Sequence, residues 1–526
     1  MVTAPASAYD EVPYEDGCYP FMQPDHLATL AAIHGLPDPP LDGCRLLELG
    51  CARGGNLLPM ALELPGAAFV GVDLSARQVD DARGRAAALG LGNVAFHAMS
   101  LADIGAAFGE FDYVVCHGVY SWVPEPVRER ILEVCSRNLT PDGLACVSYN
   151  TWPGWSARGM VRDLLRFHAR REATAAGRVD RTRGFLPELV SLLPNPSSPY
   201  AGILRAEGRQ VAEATDTWLV HEVFEDENRP SSVEEFLGRA RAAGLEFVAE
   251  AETPGLYAGL PDAARAAIGR WADDVPSREQ YLDVVVNRAF RKTVLRRSDG
   301  RGPFVPSADA LPRLSVRSTL EPASLVADPA AEGPLELHDP VGGGSVTTYS
   351  PLVKAALMEL FDARPRAVAF EALQEGVRRR LGGGGRGPSR SDAEDRSGLG
   401  ESLLRLYLSG LVDLHLRPPR LAATVPERPV ASPLARLQAA ERPVVTNLLR
   451  RRIGLDELNR AVLVLLDGSR TAGDVLDAIV ARVAAGELEL RDGSRAVRDE
   501  PEARAALAGA IEPVLRRLAG AGLLAA

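Results

Sequence analysis

The densest chemistry in this 526-residue chain lies in one run, Leu46–Asn56, which reads LLELGCARGGN. An apolar stretch ends around an acid, Glu48. A glycine-rich turn follows through Gly50, Cys51, Ala52, Gly54 and Gly55, and a helix-compatible pattern opens near Asn56. Glycines let the backbone approach a ligand closely, and a helix start offers unsatisfied N–H donors. Twenty-three residues after Gly50 the next apolar run ends at Asp73, followed by Leu74. An acid there can accept both hydroxyls of an adenosine ribose. A dinucleotide would call for G-x-G-x-x-G, because a pyrophosphate must sit on the helix start. Here Ala52 stands at the middle glycine's place, and an acid precedes the first glycine by two residues. The acid-x-G-x-x-x-G form suits a cofactor with a cationic sulfonium and an amino-acid tail, S-adenosylmethionine, with Glu48 holding the ammonium end directly or through water. Ala52 fits the turn provided its φ stays negative. Ser100 and Leu101, after the third strand, occupy the place where adenine is flanked. The bland alternative is a Rossmann-like sheet that binds nothing.

Two further strand ends are rich in aromatic residues. The fourth ends in CHGVYSWVP (Cys116–Pro124) and the fifth in SYNTWPGW (Ser148–Trp155). Ligands bind beyond the carboxyl ends of such strands, so His117, Tyr120, Trp122, Tyr149, Asn150 and Trp155 are the candidates for the transfer site. Aromatic rings there can pack on a sulfonium or an alkylammonium; each taken singly is as well explained by core packing. Tyr120, Tyr149 or His117 would accept a proton or relay it to water. His221 and Glu222, read as the end of a strand, either point into the same crevice or form a structural pair. Tyr9, Tyr14 and Phe21 suit a lid. No [DN]PP[YFW] follows the fourth strand, which weighs against methylation of an exocyclic base nitrogen.

These residues require a parallel α/β scaffold. Strands are expected at Arg45–Leu49, Ala68–Asp73, Val94–Met99, Phe111–His117 and Leu144–Asn150, with helices over 56–64, 75–89 and 126–138 between them. Residues 156–215 read as a helical insertion. The pattern then resumes with a strand at 217–224, a helix at Ser232–Ala243 and a strand at Leu245–Glu250, and 262–296 reads as helical. The expected organisation is an N-terminal lid segment (1–43), a class I methyltransferase domain (44–250), a helical regulatory segment (251–298), a Pro/Ser/Asp/Gly-rich linker (299–345), a winged-helix-like domain (346–420) and a helical C-terminal region (421–526).

Composition narrows the function. The net charge of −11 argues against a general nucleic-acid coat. Arg378–Arg380 is the one basic cluster of the winged-helix-like segment, with acids close by in sequence, so DNA binding is not expected there. Six cysteines, all within the first 150 residues and none in a CxxC pair, read as buried free thiols rather than metal ligands or disulfides. No secretory signal or membrane helix is apparent, and a cytoplasmic protein is expected. Lys292 and Lys354 are the only lysines; together with the richness in Ala, Gly and Arg this points to GC-rich coding.

The chain resembles a bacterial family of class I methyltransferases that carry a methyltransferase regulatory domain, among them the outer-membrane-protein lysine methyltransferases. The resemblance runs from YDEVPY (Tyr9–Tyr14) and YPFMQPDHL through LELGCARGGNLLPMA, HGVYSWVP and SYNTWPGW. It continues through HEVFEDENRP (His221–Pro230), EQYLDVVVNRAFRKTVL (Glu279–Leu295), the segment ending YLSGLVDLHLRPP, and the tail SPLARLQ with LDELNR. It departs at Met22-Gln23-Pro24, where the family has Thr-His-Pro, and at Ala52. The resemblance implies S-adenosylmethionine-dependent methylation of protein side chains, most plausibly lysine Nε, with the C-terminal modules docking a substrate protein or forming a homodimer. Methylation of a metabolite and non-enzymatic cofactor sensing are the rival functions.

Overall fold

A computed structural model describes residues 17–252, 259–323, 329, 332–340, 342–382, 392–492 and 495–526; Tyr9 and Tyr14 lie outside them. Seven strands form one sheet: β1 (Arg45–Leu49), β2 (Ala68–Asp73), β3 (Val94–Ala98), β4 (Phe111–Cys116), β5 (Leu139–Asn150), β6 (Leu245–Glu250) and β7 (Phe290–Arg297), in the order β3-β2-β1-β4-β5-β7-β6. The first five run parallel, and β7 is antiparallel to both β5 and β6. β1 is buried from Leu46 to Leu49, as a central parallel strand covered on both faces must be. Its neighbours are β2 on one side and β4 on the other. The chain therefore reverses its winding at β1, and the crevice outside the ends of β1 and β4 is where an open α/β sheet binds ligands. Helices α1 (Pro24–Ile33), α2 (Leu57–Glu63), α3 (Ala76–Ala88) and α4 (Glu125–Arg137) pack around the sheet.

After β5, helices α5 (Gly154–Ala169), α6 (Ala175–Thr182), α7 (Phe185–Ser191) and α8 (Pro199–Glu213) build the expected insertion around their own apolar cluster, which includes Val161, Leu165, Leu186 and Leu204. The segment 217–224, expected as a strand, is instead helical. Thr215 caps Asp216–Trp218 by accepting from the Trp218 N–H (3.2 Å), and a π-helical turn, Leu219–Val223, continues it. Leu219, Val220 and Val223 join the insertion's core, so tertiary burial overrides their preference for strand. Helix α9 (Val233–Ala242) then leads through Gly244 into β6.

The expected helix over 262–296 is three elements: α10 (Asp262–Trp271), α11 (Val275–Val286) and the strand β7. Asn287, in the left-handed region at φ 50°, ends α11. The strand was hidden because Arg291 and Thr293, which are polar, face inward and are buried by hydrogen-bonded partners. The sheet accordingly spans residues 45–297.

The stretch expected as a linker is not a tether. Leu311, Leu314, Val316 and Leu320 are buried in a core shared with Leu27 and Leu30 of α1 and with the helices Pro351–Asp362 and Phe370–Arg380. Ser315–Arg317 is the middle strand of a small sheet with Val368–Ala369 and Asp413–His415. Asp25 of α1 accepts from His415 Nδ1 (2.8 Å) and the Arg417 N–H (2.6 Å), fastening that sheet to the N-terminal helix. A separate core from Ala422 to Leu524 organises the C-terminal helices. No helix among the described residues is long and apolar enough to cross a membrane.

Candidate active site

The turn after β1 adopts backbone that its residues only partly favour. Gly50 has φ +81°, and a Cβ there would lie 2.4 Å from a Val119 methyl, so only glycine fits. Ala52 also lies in the left-handed region, at φ 44°, against the expectation of a negative value. For a residue with a Cβ this costs about 1–2 kcal/mol. The Ala52 N–H donates to Asp73 Oδ2 (2.9 Å), and Asp73 Oδ1 accepts from the Ser75 N–H (2.9 Å). The acid at the end of β2 thus clamps the glycine turn at the end of β1. That is the juxtaposition the spacing predicted.

At the other side of the turn stands Glu48, 3 % exposed. Its Oε1 accepts from Asn56 Nδ2 (3.0 Å), while its Oε2 is buried without a hydrogen-bond partner. Burial pushes this carboxyl up to about 8; Asn56 opposes the shift and Asp73 adds to it. A buried carboxylate oxygen left unpaired is costly, and a cationic donor relieves that cost. Asn56 Oδ1 in turn accepts from the Tyr19 N–H (3.1 Å), which holds the N-terminal segment over the turn.

These groups line a cavity of about 440 Å³. Of the residues expected to bind a cofactor, Glu48, Gly50, Cys51, Ala52, Asn56, Asp73, Leu74, Ser100, Leu101 and His117 face it. Gly54 stands behind it, packed toward the Phe96 ring. Of the residues expected at the transfer site, His117 and Trp122 line the cavity. Trp155 lies one layer back, edge-on to Trp122 with ring centroids 6.1 Å apart. Tyr120 and Tyr149 do not reach it: both are fully buried, Tyr120 edge-on to Phe236 (5.2 Å) and Tyr149 stacked on Phe236 (4.0 Å). Strand geometry explains the correction, since successive side chains leave opposite faces of β5. Ser148 bonds His117 on the cavity side (2.9 Å), so Tyr149 must point to the other. Asn150 is buried and structural in its contacts. Its N–H donates to Ser121 Oγ (2.9 Å), its carbonyl accepts from the Ser231 N–H (3.0 Å), and its Nδ2 donates to Asn228 Oδ1 (3.4 Å).

His117 packs against Tyr19 (3.9 Å between ring centroids) and Phe21 (5.3 Å). Burial, reinforced by Lys292, holds its imidazole down at about 3. It is neutral at ordinary pH and too weak a base to deprotonate an alkylammonium. His221, buried in the π-helical turn, and Glu222 are not among the lining residues; Glu225 and Glu227, a few residues on, are. Tyr19, Gln78, Glu225 and Glu227 were missed by sequence reasoning. The signal for the two glutamates was the acid-rich stretch FEDEN at 224–228, inside the HEVFEDENRP segment of the family resemblance.

Comparison with known proteins finds three matching domains. Residues 46–143 match a methyltransferase domain, 215–297 a predicted methyltransferase regulatory domain, and 427–523 the C-terminal winged helix domain of PKMT. The last match lies downstream of the segment 346–420 in which the winged helix was expected. An uncharacterized protein of Rickettsia prowazekii, RP789, is 32% identical over 98% of this chain and 93% of its own length. The structure of PKMT2 from Rickettsia typhi in complex with AdoHcy superposes with a TM-score of 0.85 at 26% identity, covering 97% of this chain and all of that one. The structure of the same protein described without AdoHcy gives 0.84.

Proposed function

Because this chain belongs to the methyltransferase family that joins a methyltransferase domain to a regulatory domain and a PKMT winged helix, we propose that it methylates protein side chains, with lysine Nε as the acceptor. It is an S-adenosylmethionine-dependent methyltransferase. The observation that carries the cofactor assignment is the pair of carboxylates on one cavity. Asp73 lies against the glycine turn, and Glu48 Oε2 is buried and unpartnered. They match the two polar ends of that molecule, a ribose diol and an α-ammonium. Leu74, Ser100 and Leu101 are the adenine side, and Asn56 orients Glu48. When bound, the cofactor supplies a methyl group on a cationic sulfur. The protein's own part is to position the acceptor and exclude water. Tyr19, His117 and Trp122 provide the apolar, water-poor wall for this, with Phe21 packed behind His117. A protein acceptor is supported by the full-length likeness to PKMT2 and by the large C-terminal half, which small-molecule methylation does not need. Six unpaired cysteines support a cytoplasmic location.

Incubation with methyl-labelled S-adenosylmethionine and cell extract tests the reading: proteins gain label and about 14 Da per methyl. Label confined to small molecules overturns it.

Glu48 gives a second, cheaper test. Its carboxyl sits at about 8 and must be ionised to hold the ammonium, so binding releases a proton. Affinity for S-adenosylhomocysteine is expected to rise about fivefold from pH 7 to pH 8 and then to level off. Glu48→Gln should flatten that slope in calorimetric titration; an unchanged slope would show that Glu48 does not meet the ammonium.

A further inference from the structure

The cavity is lined by two carboxylates that the cofactor does not use, Glu225 and Glu227. Glu225, like Trp122, lines it, and its Oε2 is buried without a hydrogen-bond partner. The surrounding loop is built to keep it there. The Glu225 carbonyl accepts from Arg166 Nη1 (2.6 Å) and from Arg162, both on α5. Arg166 Nη2 also binds the Asp226 carboxylate (2.7 Å). Farther along, the Arg229 N–H donates to the Ser121 carbonyl (2.9 Å), and the Ser231 N–H to that of Asn150 (3.0 Å), tying the loop across the ends of β4 and β5. The nearby arginines are thus spent largely on backbone and on Asp226. Of the loop's other acids, Glu227 lies 3.6 Å from Arg229. Burial pushes the Glu225 carboxyl above its ordinary value and Asp226 adds to this, while Arg162 and Arg166 pull the other way. An anionic oxygen of this kind, in a cavity that the Trp122 indole also lines, demands a positively charged donor.

We propose that Glu225 and Trp122 form the seat of the methyl acceptor, and that the seat selects a primary alkylammonium over hydroxyl or carboxylate acceptors. The inference rests on the methyltransferase reading and deepens it. The acceptor enters as R–NH3+ with its charge on Glu225 and against the Trp122 ring. One proton passes to the Glu225 carboxylate, which frees the nitrogen lone pair. That pair forms the new N–C bond as the C–S bond breaks, the sulfur keeps the electrons of the broken bond, and the proton leaves Glu225 for water. Neither buried tyrosine nor His117 is placed or basic enough for this step. An anionic acceptor would meet the repulsion of the Glu225 carboxylate.

The test uses the full chain, tritiated S-adenosylmethionine and poly-L-lysine as the probe amine, with succinylated poly-L-lysine as its anionic counterpart. Wild type is expected to label the first and not the second. Glu225→Gln should lower kcat/KM on poly-L-lysine by about tenfold to a hundredfold, the loss of one hydrogen bond to a charged group, with kcat falling as well as KM rising because the amide cannot take the ammonium proton. Glu225→Asp should recover part of the loss, and Trp122→Leu should act in the same direction as Glu225→Gln. Calorimetry with S-adenosylhomocysteine should return the wild-type affinity in both Glu225 variants, which also shows that they have folded. The seat is overturned if wild type leaves poly-L-lysine unlabelled, if Glu225→Gln labels it at the wild-type rate, or if that variant loses S-adenosylhomocysteine. Cell proteins labelled equally by wild type and Glu225→Gln would sink the seat and leave protein methylation standing.

Discussion

Asp73→Ala is expected to weaken S-adenosylhomocysteine binding by two to three orders of magnitude in calorimetric titration. A carboxylate accepts about four hydrogen bonds, and a ribose diol held by Asp73 would supply two of them. Two hydrogen bonds to a charged acceptor contribute about 3–4 kcal/mol, or roughly 10²–10³-fold in affinity. The substitution also removes the clamp on Ala52, which holds an unfavourable positive φ partly through that bond. The loss should therefore exceed that of Asp73→Asn, which keeps the shape and one acceptor oxygen. Binding within threefold of wild type in the alanine variant would move the ribose elsewhere and undo the cofactor assignment with it.

The largest effect on stability is expected at Arg291. Its guanidinium is fully buried and all its nitrogens are engaged: Nε and Nη2 donate to Asp283 (both 2.8 Å), Nη1 to Glu250 (2.8 Å), and Nη2 also to Glu279. Arg288 is the other cation of the group, 3.1 Å from Asp283 and 3.4 Å from Glu250. Arg291→Leu would strand buried carboxylates with half their compensation, at a cost of about 3–5 kcal/mol. The thermal transition of the methyltransferase half should fall by several degrees. Adding Asp283→Leu should restore part of the loss, because one orphaned charge goes with it. If the double variant is less stable than Arg291→Leu alone, the network contributes more than mutual neutralisation. Its position matters for function as well. It pins β7 and α11 directly behind the end of β5, where Asn150 anchors the acidic loop and where Gly154 packs so closely on Arg288 that a Cβ would fall 2.6 Å from its carbonyl carbon.

What could be read from the chain divides along a physical line. β1 and β2 were legible to the residue, because apolar runs buried on both faces stop abruptly at glycine or acid. The cofactor half of the cavity followed from them, since Glu48, the turn and Asp73 depend on local spacing alone. β7 was illegible because its inward positions are charged and are made tolerable only by acids on β6 and α11. The strand expected at 217–224 failed in the opposite way, its β-branched residues serving the insertion's core. The acceptor side was half legible: Trp122 follows from the strand end, but Glu225 is set in place by arginines some sixty residues earlier, which leave no local pattern. Tyr149 and Asn150 could not both have faced the crevice, and strand alternation alone could have excluded one of them.

The insertion of β7 between β5 and β6 also bears on how the protein is made. A ribosome must release at least 297 residues before the strand at 139–150 gains its antiparallel neighbour and the strand at 245–250 has anything to join. Until then the nascent sheet carries a long unpaired edge, which is a template for association with other chains. Expression fragments cut after residue 250 should therefore aggregate, and the shortest one worth attempting ends beyond Arg297.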